Sequence, residues 1–157
     1  MAMHELFDPL KKIGIKWCLN KNLGSDFGSI SFYFDGVWYP KEPLDNYNLH
    51  TIFSNLKNSI TEPYYSSGTV GQDFGEKEFD IKLLNNLELP NLISIETTEL
   101  TGIVSDNCSY GCLVIYIGFS GKTERIFYSF DLGITYKELR LAKGTFESLI
   151  YQLPVLK

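Results

Sequence analysis

The feature that most constrains the fold is an Asp35-Gly36 pair between two aromatic and β-branched runs, Ile30–Phe34 and Val37–Tyr39. Both central residues of a type I′ turn need a positive φ, and an Asp-Gly pair meets that need. The pattern therefore predicts a two-residue β-hairpin. Proline follows the second run at position 40, which predicts that the strand ends there.

Further strands are predicted by alternation of apolar and polar residues and by short apolar runs. The run Cys112–Phe119 is almost continuously β-branched and aromatic, which predicts a central strand buried on both faces. Ser120-Gly121-Lys122 turns this strand back into a second hairpin. The remaining strands are predicted at Ile13–Leu19, Glu78–Leu84, Leu92–Thr98, Arg125–Phe130 and Lys137–Ala142.

Two helices are predicted from apolar residues at helical spacing. The first covers residues 48–60, and its stripe is Leu49, Ile52, Phe53, Leu56 and Ile60. The second follows Gly144, with Thr145 as N-cap and with Phe146, Leu149, Ile150 and Leu153 on one face. Thr61–Gly75 is predicted to be a loop, because it holds Pro63 and three glycines.

The order of these elements predicts an α+β fold with a mainly antiparallel sheet of about seven strands and two helices packed on one face. A chain of 157 residues that is 44% hydrophobic favours a single domain over residues 1–157. No apolar run reaches the roughly 18 to 20 residues that cross a bilayer, and the N-terminus lacks a signal-peptide pattern. Three cysteines do not make a disulfide framework, which favours a reducing cytoplasm.

Negative charge is concentrated in the middle of the chain. Between Glu62 and Asp106 there are nine acidic residues and only two lysines, a net charge of −7, whereas the rest of the chain carries +2. The acidic residues are Glu62, Asp73, Glu76, Glu78, Asp80, Glu88, Glu96, Glu99 and Asp106. With an overall charge of −5, this pattern disfavours nucleic acid and favours a basic partner or a cation, although it is also typical of a solvated surface.

No catalytic or metal-binding motif stands out. Cys108 and Cys112 are four residues apart, but a structural zinc site needs four ligands, so no metal and no cofactor are predicted. Ser120 lacks the glycine spacing and the strand-to-helix turn of a nucleophile elbow. A hydrolase with Cys108 or Ser120 as nucleophile stays open only if His50 lies within hydrogen-bond reach.

Three stretches together resemble immunity-protein family 42 of bacterial polymorphic toxin and contact-dependent growth inhibition systems. They are Phe7-Asp8-Pro9 before the strand Ile13–Trp17, the hairpin Ile30–Lys41, and Glu138–Glu147 followed by Leu149, Ile150, Leu153 and Pro154. The resemblance covers both ends of the chain but not residues 44–103. It implies a small cytoplasmic protein, not an enzyme, that binds the C-terminal domain of one cognate toxin and blocks it.

We therefore expect an immunity protein that covers the active site of a toxin, a basic nuclease, with an acidic and aromatic surface. The residues expected to contact the toxin are Tyr64, Tyr65, Asp73, Phe74, Glu76, Glu78 and Asp106. The alternative is a small-ligand or carbohydrate binding module that uses exposed aromatic side chains such as Trp38 and Tyr39. The oligomeric state is not predicted by any pattern in the chain.

Overall fold

A computed structural model describes residues 3–66, 73–80, 82, 92–97 and 112–156, and for residues 62–66 it describes the backbone alone. Within these ranges the chain forms two antiparallel sheets and two α-helices, which confirms the predicted α+β class. The strands are β1 His4–Phe7, β2 Ile13–Leu19, β3 Phe27–Phe34, β4 Val37–Tyr39, β5 Tyr47–Asn48, β6 Ile93–Ile95, β7 Val114–Ser120, β8 Thr123–Ser129 and β9 Lys137–Ala142. The helices are α1 Leu49–Ser66 and α2 Thr145–Ile150.

The first sheet has the order β1-β2-β3-β4, and β5 also pairs with β3. The predicted hairpin joins β3 to β4, with Phe34 opposite Val37 and with φ of 44° at Asp35 and 97° at Gly36. The second sheet has the order β6-β7-β8-β9. Its strands β7 and β8 form the second predicted hairpin, with Ser120 opposite Thr123.

One apolar core is shared by both sheets and both helices. Ile15 and Phe32 enter it from the first sheet, and Ile115 and Ile126 enter it from the second. The two sheets also meet directly, because the ring of Phe34 in β3 stacks on Tyr128 in β8 with 4.5 Å between centroids. The strand that is buried on both faces is β8, where residues 124–129 are all buried, and not β7, whose outward side chains are half-buried.

Helix α1 confirms the predicted stripe but is longer than predicted. Its N-terminus is capped by Asn48, whose side chain accepts a hydrogen bond from the backbone N–H of Thr51 (3.1 Å). The helix continues to Ser66, so the loop predicted from Thr61 onwards was wrong for residues 61–66. Tertiary contacts hold the helix up to Thr61, since the N–H of Glu96 donates to Ser59 Oγ at 2.7 Å and Thr61 Oγ1 lies 2.8 Å from the hydroxyl of Tyr151.

Two further local predictions were wrong. Thr145 is not the N-cap of α2: Gly144 occupies that position with φ of 92°, and the carboxylate of Glu124 in β8 accepts the N–H groups of Gly144 and Phe146. Residues 78–80 form no strand, because this stretch is held across the second sheet as described below. Most of the predicted strand after Asp80 lies outside the described residues.

The cysteines differ from the expectation that they form no disulfide framework, because one disulfide is present. Cys112 is disulfide-bonded, while Cys18 is free. Cys108, the third cysteine of the chain, lies outside the described residues. Of the helices in the described part of the chain, none has both the length and the apolar character needed to cross a membrane.

Candidate functional site

Residues 73–80, the clasped segment, lie against the outer face of the second sheet. The N–H of Gly75 donates to the carbonyl of Phe119 in β7 at 2.9 Å. At the β7–β8 turn, the N–H of Gly121 donates to Asp73 Oδ2 at 2.7 Å. The acidic stretch singled out in the sequence is thus attached to a rigid sheet at this point.

Phe74 anchors the clasped segment. Its side chain is 1% exposed and contacts Phe127 edge-on, with 5.8 Å between ring centroids. It lies so close to Gly118 in β7 that a Cβ at that position would be 2.9 Å from the Cβ of Phe74. Because real Cβ atoms do not approach that closely, Gly118 is what allows Phe74 to pack directly on the strand backbone.

Arg125 in β8 binds the same segment through its side chain. It is 3% exposed, and its guanidinium donates to both carboxylate oxygens of Glu138 at 3.0 and 2.9 Å. Its Nη1 also donates to the carbonyls of Gly75 and Lys77, each at 2.8 Å. The buried charge therefore has a carboxylate partner and two backbone acceptors, as a buried cation requires.

Two aromatic rings complete the environment of Arg125. The guanidinium carbon lies 5.1 Å from the ring centroid of Phe74 and 4.9 Å from that of Phe127. At these distances the rings attract the cation electrostatically as well as by packing. Arg125 thus joins the clasped segment, β8 and β9 through one side chain.

Glu76, predicted as a toxin contact, is occupied by contacts within the chain. Its carboxylate accepts hydrogen bonds from Arg140 at 3.0 and 2.6 Å and from Ser120 Oγ at 2.8 Å. The hydrogen bonds from Arg140 and then Ser120 lower the pKa of Glu76 to about 2. Arg140 also pairs with Glu138 at 2.7 Å, so the two arginines and two glutamates form one network.

This network changes the electrostatic interpretation of the acidic stretch. Around the clasped segment, five carboxylates face four cations, which leaves a net charge of −1. The carboxylates are those of Asp73, Glu76, Glu78, Asp80 and Glu138, and the cations are those of Lys77, Lys82, Arg125 and Arg140. Of the −7 counted along the sequence, residues 73–82 contribute only −2, and Arg125, Arg140 and Glu138 together bring this to −1.

A half-buried aromatic floor lies beside the clasped segment. Phe79 stacks on Phe127 with 4.4 Å between centroids and meets Tyr136 edge-on at 4.8 Å. Tyr116 lies next to both, at 6.0 Å from Phe79 and 6.3 Å from Tyr136. Burial, followed by the nearby Tyr116 and Asp131, raises the pKa of Tyr136 to about 12, so its hydroxyl keeps its proton at physiological pH.

The loop between β8 and β9 adjoins this floor and is tightly organised. Asp131 accepts the backbone N–H and the hydroxyl of Thr135, and the hydroxyl of Ser129 donates to Asp131 at 2.6 Å. The N–H of Gly133 donates to Ser129 Oγ at 2.8 Å. Burial acts to raise the pKa of Asp131, but its hydrogen bonds with Ser129 and Thr135 together outweigh burial and lower the pKa.

This loop holds two apolar side chains in solvent. Ile134 is 80% exposed and Leu132 is 53% exposed, and Ile134 is the most exposed large apolar side chain among the described residues. Leu132 has φ of 59°, a left-handed conformation that costs a residue with a Cβ about 1 to 2 kcal/mol. Strained backbone of this kind concentrates at functional sites, which directs attention to this loop.

The structure places the predicted toxin contacts in different situations. Asp73, Glu76 and Glu78 are exposed on the clasped segment, whereas Phe74 is buried in it and is a packing residue in this structure. Tyr64 and Tyr65 lie in the last turns of α1, but their side chains, like the whole of Asp106, are outside the described residues. Sequence reasoning missed Leu132, Ile134 and Tyr136, although an apolar pair beside a glycine in a polar turn is a visible signal.

The residues weighed for hydrolysis have other partners. Ser120 Oγ donates to Glu76, and His50 Nδ1 lies 3.0 Å from the carbonyl oxygen of Leu156. Ser120 and His50 therefore form no nucleophile–base pair in this structure, and Cys108 lies outside the described part. Among residues 3–66, 73–80, 82, 92–97 and 112–156, no group of three metal-ligating side chains comes together.

The aromatic side chains proposed for a small-ligand site divide between the surface and the core. Trp38 is half-buried on the outer face of the first sheet, where it contacts Tyr33 and Phe7 and has Lys16 Nζ at 4.2 Å from its ring centroid. Tyr39 is only 6% exposed, and its hydroxyl accepts the N–H of Cys112 at 2.8 Å. Because Tyr39 is a core residue, it is not part of an exposed aromatic platform.

Glu124 is a buried carboxylate between β8 and α2. It is 2% exposed, and burial raises its pKa to about 7 even though its hydrogen bonds from Phe146 and Gly144 act in the opposite direction. The folded protein therefore holds this proton over the range between about 4.5 and 7, where the unfolded chain releases it. Stability from this group is present below pH 4.5 and is lost as the pH rises through 7.

We expect Glu124→Gln to remove this pH dependence. Between pH 4 and pH 8 the wild-type protein should lose about 3 kcal/mol of unfolding free energy relative to the variant, as a shift of this size implies. The measurement is urea unfolding of both proteins at several pH values, with Glu42→Gln, an exposed carboxylate, as the control. A constant difference between wild type and Glu124→Gln across this range would contradict the assignment.

Comparison with known proteins gives a likeness in fold. No protein-family model matches the chain, and no curated protein matches it. Among solved structures, the crystal structure of CdiI from Burkholderia dolosa AUO158 matches with a TM-score of 0.51 and 15% sequence identity, over 95% of this chain and 97% of that chain. The expected resemblance to a contact-dependent growth inhibition immunity protein is thereby confirmed for the fold, while assignment to family 42 stays a prediction.

Proposed function

We propose that this chain is an immunity protein that binds the C-terminal domain of one cognate bacterial toxin and blocks its active site. The observation that carries the proposal is the likeness to CdiI, a contact-dependent growth inhibition immunity protein, over nearly the whole of both chains. Fold alone does not determine function, so the proposal also needs a surface that suits a protein partner.

The outer face of the second sheet provides such a surface. It combines half-buried aromatic rings, exposed carboxylates and two exposed apolar side chains on a well-organised loop. Protein interfaces have this composition, with aromatic and apolar anchors near the centre and polar groups around them. In this proposal the chain inhibits by covering the toxin's active site and not by catalysis. It acts as a single domain in the cytoplasm. The toxin is a basic nuclease.

The test is first to identify a toxin gene beside this one, as the proposal expects, and then to measure growth of cells that express its C-terminal domain. Co-expression of this chain is expected to restore growth, while a toxin domain from an unrelated locus stays lethal because recognition is specific. The measurement is viable count after induction, with expression of both proteins verified by immunoblot. Growth arrest in the presence of soluble, folded chain would contradict the proposed function.

A further inference from the structure

We propose, on the basis of the proposed function, that the toxin domain docks on the outer face of the second sheet, with Leu132 and Ile134 as its apolar anchors and Glu78 and Asp80 as its electrostatic contacts. The partner is thus a basic protein surface with an apolar depression. This assignment moves the expected interface from Phe74 and Glu76, which are engaged within the chain, to the adjoining β8–β9 loop.

Hydrogen bonds within the chain fix the conformation of the β8–β9 loop. Asp131 and Ser129 fix the loop through hydrogen bonds to Thr135 and Gly133. The backbone N–H of Leu132 also donates to the carbonyl of Cys112 at 3.0 Å. The backbone of the loop is therefore ordered before any partner binds, and so little backbone entropy is lost when Leu132 and Ile134 are covered.

Leu132 has a backbone conformation that is unfavourable for leucine. Asparagine and glycine adopt a left-handed φ more easily than leucine, which has φ of 59° at this site. Leu132 is also half exposed, so burial in the chain's own core does not compensate the strain. An apolar side chain in a strained and exposed position is understandable if a partner covers it.

The β8–β9 loop adjoins the clasped segment through aromatic side chains. A Cβ on Gly133 would lie 2.9 Å from the hydroxyl of Tyr136, so the loop rests on Tyr136. Tyr136 in turn contacts Phe79 at 4.8 Å, and Phe79 lies between Glu78 and Asp80 in the chain. The anchors, the aromatic floor and the two carboxylates therefore form one surface.

The exposed carboxylates on this face favour a basic partner. Glu78 is exposed and makes no ion pair with any described residue, and Asp80 accepts only the backbone N–H of Lys82 there, at 2.9 Å. A second copy of this chain, with a net charge of −5, would bring like charges together across a two-fold interface. A basic partner gains from the same carboxylates, and so the face fits a toxin better than it fits itself.

The experiment measures binding kinetics against the toxin C-terminal domain that the growth test identifies. The double variant Leu132→Asn and Ile134→Thr keeps a residue that tolerates positive φ and keeps the β-branched shape, so its thermal midpoint should equal or exceed that of the wild type. Its matched control is Leu10→Asn with Val155→Thr, which are 74% and 77% exposed in the wild type and lie outside the proposed surface.

We expect the Leu132 and Ile134 variant to bind about tenfold or more weakly, mainly through faster dissociation, and the control to bind within about twofold of wild type. If the wild-type chain binds and the variant binds equally well, this inference is overturned and the proposed function stays in place. Absence of binding by the wild-type chain overturns the proposed function, and this inference with it.

A second comparison tests the charge of the partner. Glu78→Lys with Asp80→Asn should slow association about tenfold at low salt and flatten its salt dependence. The control, Glu5→Lys with Asp45→Asn, makes the same change of charge at exposed positions of the first half of the chain and should have little effect. Equal association rates for the two double variants would contradict a basic partner on this face. So would a dimer of the wild-type chain in the absence of toxin, if the Leu132 and Ile134 variant is a monomer under the same conditions.

Discussion

Replacement of Phe53 by alanine is expected to lower the free energy of unfolding by about 3 to 5 kcal/mol, the range for a buried aromatic side chain. Phe53 lies in the second turn of α1 and is 2% exposed. Its ring meets that of Trp17 in β2 edge-on, with 5.5 Å between centroids, so the substitution leaves a cavity between the helix and the first sheet. Leu149→Ala, on α2 and also 2% exposed, should cost about 2 to 5 kcal/mol for the same reason.

The measurement is urea unfolding monitored by tryptophan fluorescence and by circular dichroism. Leu10→Ala is the control, because Leu10 is 74% exposed and its truncation removes little buried surface. An unfolding midpoint for Phe53→Ala equal to that of the control would mean that α1 does not pack on the first sheet as described.

Replacement of Arg125 by alanine is expected to cost about 3 to 5 kcal/mol, as for the loss of one partner of a buried ion pair. The substitution leaves the carbonyls of Gly75 and Lys77 without their donor and weakens the pairing of Glu138. It should also release the clasped segment, so that the N–H of Gly75, which is bonded to the carbonyl of Phe119, exchanges with solvent much faster.

Arg140→Ala is the matched control for Arg125→Ala. Arg140 also binds two glutamates, but its side chain is 45% exposed, and exposed ion pairs contribute at most about 1 kcal/mol. Unfolding measurements together with hydrogen exchange at Gly75 separate the two arginines. Equal stability of the two variants, with slow exchange at Gly75 in both, would show that Arg125 does not hold the segment.

The elements that were predicted correctly carry their signal in neighbouring residues. The Asp35-Gly36 turn and the stripe from Leu49 to Ile60 need only the periodicity and turn chemistry of a few adjacent positions. The short edge strands β1 and β5 were not predicted, because four and two residues are too few to show a periodic pattern. Their pairing depends on strands elsewhere in the chain.

The site was harder to predict because its contacts are distant in the sequence. Arg125 binds carbonyls that are 50 and 48 residues away, and Arg140 binds Glu76 across 64 residues. Two local signals point to this arrangement: Gly118 inside an apolar strand, and Arg125 directly before the apolar run Ile126–Tyr128. The sequence also did not show that two arginines of β8 and β9 pair with this segment, although the local net charge changes only from −2 to −1 because β9 also brings Glu138.

The most direct test of the proposed inhibition is a titration of the purified toxin domain with this chain, following toxin activity and complex formation together. A stoichiometric inhibitor that covers an active site should abolish activity at one equivalent and form a complex of matching stoichiometry, and Leu132→Asn with Ile134→Thr should move the end point to higher concentration. Full toxin activity in the presence of excess folded chain, or inhibition without a complex, would contradict inhibition by occlusion.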